Sequence, residues 1–69
     1  MEVRQRVAQK IKALRGAQGI SQEELADRAG LHRTYISGVE RAVRNPTLTV
    51  LEKIARALRT PLSDIVAEG

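Results

Sequence analysis

Four residues of hydrogen-bonding type, Arg33, Thr34, Ser37 and Arg41, fall on one side of a short stretch whose other side carries Ile36 and Val39. At helical spacing the apolar pair faces a core and the polar set faces outward. An outward Arg offers a planar fork that fits phosphate or the O6/N7 edge of guanine. Thr and Ser hydroxyls both donate and accept. The rest of the chain leans the same way. Of 69 residues, 12 are basic and 8 acidic, a net charge of +4, and nine of the basic residues are Arg. That balance suits a polyanionic partner. Tyr35 is the only aromatic residue. Single-stranded nucleic acid held by base stacking needs more aromatic platforms, so double-stranded DNA is the better candidate.

Other chemistries lack their parts. Cysteine is absent, so disulfides, thiolate zinc sites and thiol nucleophiles are excluded. One histidine, His32, and scattered carboxylates do not have metal-ligand spacing. Ser21 reads as a helix cap rather than a nucleophile, because no His–carboxylate partner lies near it in sequence. No enzyme activity, metal or cofactor is expected. No apolar run approaches the roughly 20 residues that cross a bilayer, and the start Met1-Glu2-Val3-Arg4 has no signal-peptide core. The expectation is a soluble cytoplasmic module with one domain over residues 1–69. A chain of this size buries only about 60% of its unfolded surface.

Helical periodicity runs throughout. Val3, Val7, Ile11 and Leu14 form one stripe of a first helix, with Arg4, Arg6, Lys10 and Lys12 on the opposite, solvated face. Gly19 suits the left-handed position after its end. Ser21-Gln22-Glu23-Glu24 is a capping box, and Ile20 with Leu25 makes a hydrophobic staple over the start of a second helix that stops at Gly30. His32 caps a third helix in which Leu31 and Ile36 repeat the staple. After an irregular loop with Arg44, Asn45 and Pro46, Thr47 caps a fourth helix carrying Val50, Leu51, Ile54, Ala55 and Leu58. Thr60-Pro61, a cap followed by Pro at the first helical position, starts a short fifth helix that buries Leu62, Ile65 and Val66.

Gly30 leaves a turn of about three residues between the second and third helices, so the two must cross steeply. Ala26 lets them approach, Gly30 takes positive φ without a Cβ penalty, and Ile36 plugs the angle. The stretches Ser21-Gln22-Glu23-Glu24-Leu25-Ala26, Gly30-Leu31, Tyr35-Ile36-Ser37, Val39-Glu40-Arg41 and Arg44-Asn45-Pro46-Thr47-Leu48 resemble the lambda-repressor-like, or XRE/Cro-type, helix-turn-helix regulators. Small single-domain members, including the controller proteins of restriction–modification systems, are especially similar. The resemblance covers nearly the whole chain. It implies an all-α fold, a compact five-helix lambda-repressor-like DNA-binding domain with the helix-turn-helix at about residues 21–41.

Position by position, the resemblance implies that Arg33, Thr34 and Ser37 read bases. It gives Gln22, Tyr35, Arg41, Arg44 and Asn45 contacts to the DNA backbone, with His32 as a cap or phosphate neighbour. Arg15 and Glu40 would form a partly buried ion pair joining the first and third helices. Tyr35 also admits a plainer reading as a half-buried packing residue. Arg56 and Arg59 suit the negative end of the fourth helix and need no further role. Two positions depart from the pattern. Gly38 stands where many relatives carry a base-reading side chain, and Ala42 stands where the family usually has Gly. Ala at positive φ costs on the order of 1 kcal/mol; without positive φ, the loop path would differ.

One recognition helix covers too few base pairs for useful selectivity. A homodimer on a palindrome, with recognition helices about 34 Å apart, is therefore expected. Its interface falls to Leu48, Leu62, Ile65 and Val66. The competing reading is a helix-turn-helix interaction module, antitoxin-like or binding an anti-repressor. Such a module would present an apolar patch on the third helix rather than Arg33, Thr34 and Ser37.

Overall fold

The computed structural model describes residues 2–67; Met1, Glu68 and Gly69 lie outside them. Five helices follow in order: α1 (Val3–Ala17), α2 (Gln22–Ala29), α3 (Arg33–Glu40), α4 (Leu48–Ala57) and α5 (Leu62–Val66). No strand occurs among the described residues.

Local chemistry sets most helix starts. Glu2 caps α1 by accepting from the Arg4 amide at 2.8 Å. That backbone hydrogen bond is the main reason its carboxyl sits below the ordinary range. Ser21 Oγ accepts from the Glu24 amide at 3.0 Å, and Thr47 Oγ1 accepts from the Val50 amide at 3.2 Å. The capping box closes on one side only, because the Glu24 carboxylate turns instead to Arg28 Nε, 2.9 Å away one turn along. The cap expected at Thr60 is also displaced. Pro61 holds the N-cap position of α5, and Thr60 Oγ1 donates to the Leu58 carbonyl at 3.1 Å.

Helices α1 to α4 end alike. The residues that leave them are left-handed: Gly19 at φ 68°, Gly30 at 70°, Ala42 at 61° and Arg59 at 54°. Each donates its amide back into the last turn, and the next residue does so one position deeper. At α2 these bonds are Gly30 to Asp27 O at 3.3 Å and Leu31 to Ala26 O at 2.9 Å; at α3 they are Ala42 to Val39 O and Val43 to Gly38 O, both 3.0 Å. The motif satisfies carbonyls that the helix leaves open. It needs the left-handed conformation, so Ala42 and Arg59 each carry strain of about 1 kcal/mol. Positive φ at Ala42 also keeps the loop on the path that the resemblance implies.

The core joins Val7 and Ile11 of α1, Leu25 and Ala26 of α2, Ile36 and Val39 of α3, Leu51, Ile54 and Ala55 of α4, then Leu58 and Ile65. Helix α2 packs on α3 and α4, α1 on α3 and α5, and α4 on α5. Three expectations change here. Val3 is 59% exposed, so the α1 stripe begins at Val7, with Ala8 buried beside it. Arg6 leaves the solvated face: it is half-buried, and its Nη2 donates to the Val66 carbonyl at 3.4 Å. On α5 only Ile65 is fully enclosed, while Leu62 is half-buried and Val66 lies at the surface. Leu62, one turn before Ile65, packs at the edge of the core on the same helix face.

Candidate nucleic-acid interface

The α2–α3 connection is Gly30-Leu31-His32. Gly30 turns the chain, Leu31 packs on the core from the turn, and Ile36 is fully buried behind it. With its inner side anchored by Ile36 and Val39, the first turn of α3 projects outward. Arg33 and Thr34 are exposed there, and Ser37 lies half-buried one turn on. His32 occupies the N-cap position but makes no side-chain cap bond. The Tyr35 amide donates to the His32 carbonyl at 3.0 Å, so the Arg33 and Thr34 amides are the ones that keep their donors, with the positive end of the helix dipole, for an anion.

Behind this face lies a polar network linking three helices. Arg15 at the end of α1 meets Glu40 at the end of α3 through two hydrogen bonds, Nε to Oε2 at 2.6 Å and Nη2 to Oε1 at 3.0 Å. Arg15 Nη1 also donates to the Ile20 carbonyl at 2.9 Å. The Glu40 side chain is 2% exposed and that of Arg15 18%. Hydrogen bonding to Glu40 raises the Arg15 pKa above its ordinary value, so the guanidinium stays charged. Gln22 joins the pair by donating from Nε2 to Glu40 Oε1 at 3.1 Å. The sequence marks Gln22 as a phosphate contact. In the structure one of its amide donors holds Glu40, leaving the other donor and the carbonyl for a further partner.

The loop after α3 folds back over that helix. Arg41 is exposed, with Nε donating to the Ser37 carbonyl at 3.4 Å, and Asn45 is exposed beyond it. The Arg44 guanidinium lies 5.6 Å from the centre of the Tyr35 ring, within cation–π range. Tyr35 is half-buried with its ring against the core. Gly38, one turn on from Thr34 where the resemblance expects a base-reading side chain, is buried, and the stem of Arg44 covers it. The four residues expected at a dimer interface are unequal. Leu48 is 68% exposed, Val66 is 37% exposed and Leu62 is half-buried, but Ile65 has no accessible surface and supports the others from the core. Val43, 63% exposed, has no inward partner in the helical periodicity and could be found only from the loop's course.

Residues 11–65 match the helix-turn-helix family HTH_3. The chain belongs to this family. The matched segment runs from the middle of α1 to Ile65, and so includes the α2–turn–α3 unit, the Arg15–Glu40 pair and the returning loop. Among helix-turn-helix relatives, the control protein C.SmaI of Serratia marcescens is 41% identical over 66 residues, covering 96% of this chain and 79% of that one. The immunity repressor protein of Bacillus phage phi105 is 44% identical over 62 residues, 90% of this chain; the match spans only 43% of that repressor's length. The crystal structure of the restriction-modification controller protein C.AhdI from Aeromonas hydrophila superposes with a TM-score of 0.88 at 40% identity, covering 90% of this chain and 94% of that one. Among the described residues, no helix of this helix-turn-helix protein is long and apolar enough to cross a membrane.

Proposed function

We propose that the protein is a transcription regulator that binds double-stranded DNA sequence-specifically, as a homodimer on a palindromic site. The observation that carries this reading is the face of α3. Arg33 and Thr34 stand exposed at an uncapped helix start, one turn ahead of Ser37, and the helix is braced from behind by Ile36, Val39 and Glu40. Arg33 is assigned the fork to a guanine, with Thr34 and Ser37 beside it in the major groove. Gln22, His32, Tyr35, Arg41, Arg44 and Asn45 surround that face and are assigned to phosphate and sugar, which set register rather than sequence preference. Membership of the helix-turn-helix family and likeness to controller and repressor proteins support the assignment. The same DNA partner supports a cytoplasmic place of action.

The dimer is assigned to exposed Leu48 and Val66, with half-buried Leu62 between core and surface. Two recognition helices one DNA turn apart, about 34 Å, would then meet equivalent half-sites. The polar outward residues of α3 favour this over an interaction module, which would show an apolar patch there. Selection of bound duplexes from a random pool, repeated across salt concentrations, tests the reading. The expected result is a two-fold symmetric motif. Recovery of no motif at any salt concentration would refute sequence-specific binding, and an asymmetric single site would refute the dimer.

A further inference from the structure

We propose that Gly38 is a positioning residue for Arg44: a notch without Cβ in the recognition helix that seats the loop arginine and makes helix and loop one DNA-binding unit. The inference rests on the DNA-binding reading above and adds to it. Three observations converge on one spot. A Cβ placed on Gly38 would lie 2.6 Å from Arg44 Cγ, 3.4 Å from its Nε and 3.6 Å from its Cδ. Contact at 2.6 Å is too close, and Cγ sits at the base of the side chain, so a Cβ here would force the whole Arg44 stem off this path rather than only its tip. The Gly38 carbonyl accepts the amides of both Val43 at 3.0 Å and Arg44 at 3.2 Å, which fastens the loop backbone over the same point. The far end of Arg44 then rests 5.6 Å from the centre of the Tyr35 ring, one turn back along α3.

Each contact removes freedom from a side chain that would otherwise sample many rotamers on an exposed loop. An arginine held at both stem and head loses less entropy when it meets a phosphate or base. Gly38 also has a cost: glycine inside a helix is less favourable than alanine. An eight-residue helix that keeps one at a buried position is explained by the side chain lying over it. Neither outward periodicity nor composition signals this role.

The test is a double-mutant cycle on the full chain, using the duplex recovered by selection and reading both affinity and salt dependence. Arg44→Ala is expected to weaken binding about tenfold and to reduce the slope of log K against log salt by about one. Gly38→Ala should reproduce both changes, and the double variant should bind no more weakly than Arg44→Ala alone. Tyr35→Leu should shift affinity in the same direction and also add little to Arg44→Ala. Alanine favours helix but crowds the Arg44 stem, so any fall in the melting temperature of Gly38→Ala should disappear in the double variant, where Cγ is gone. Wild-type binding in Gly38→Ala, losses that simply add, or early melting that Arg44→Ala does not repair would each overturn the proposal. A wild-type chain that binds no duplex overturns the DNA reading itself, which separates the two failures.

Discussion

Glu40→Ala tests the bracing of the recognition helix most directly. The carboxylate is 2% exposed and accepts three hydrogen bonds, two from Arg15 and one from Gln22. Summing three charged hydrogen bonds would overstate the loss, since the three act as one network. The better measure is the cost of stranding a buried charge, about 3–5 kcal/mol. Arg15 keeps its bond to the Ile20 carbonyl and 18% solvent exposure, which places the expected loss near the lower end, about 3 kcal/mol. A 69-residue domain has roughly 3–10 kcal/mol in total. The variant should therefore be barely folded at physiological temperature, with its melting point lowered by on the order of 10–20 °C. Urea titration followed by far-ultraviolet circular dichroism measures this as a lower midpoint at unchanged m-value. A loss below about 1 kcal/mol, the level of an ordinary surface pair, would refute the reasoning. A second arm isolates the physical cause. Arg15→Met combined with Glu40→Leu removes both charges, so it should recover most of the lost stability. If the paired replacement is as unstable as Glu40→Ala, the stranded charge is not the source of the cost.

Ala42→Gly should stabilise the protein by up to about 0.6 kcal/mol, the relief of about 1 kcal/mol of left-handed strain less the extra entropy of an unfolded glycine; calorimetry showing a lower melting temperature would contradict the strain argument. Arg33→Ala should relax preference at one position in each half-site, at about 1–3 kcal/mol of discrimination, and an unchanged motif on repeated selection removes Arg33 from the reading set. Leu48→Asp puts a charge on the most exposed apolar residue of α4, so sedimentation should show a monomer where the wild type is dimeric. Unchanged dimer mass would move the interface away from α4.

Much of this fold was legible because its signals are local. Ser21 and Thr47 cap helices from within one turn, Gly30 bends the chain at its own φ, and Val7, Ile11, Leu25, Ile36 and Ile54 fall on faces that period 3.6 alone selects. The candidate reading face follows from the same periodicity, since Arg33 and Thr34 must point away from Ile36 and Val39. The Arg15–Glu40 pair was legible through family resemblance, because 25 residues separate the partners and no spacing rule connects them.

Other features needed the packed molecule. That Gln22 spends a donor on Glu40, that Gly38 seats Arg44, and that Ile65 rather than Val66 closes the core all depend on which helices come to lie side by side. Val3 and Arg6 exchanged their expected places for a related reason. At a helix end, the neighbour that would bury an apolar side chain is supplied by the far terminus of the chain, here the Val66 carbonyl that accepts from Arg6. Caps, turns and faces are decided by forces reaching one helical turn, so the order of residues contains them. The seating of a loop on a helix is decided by contacts between atoms whose distance exists only once the core has closed.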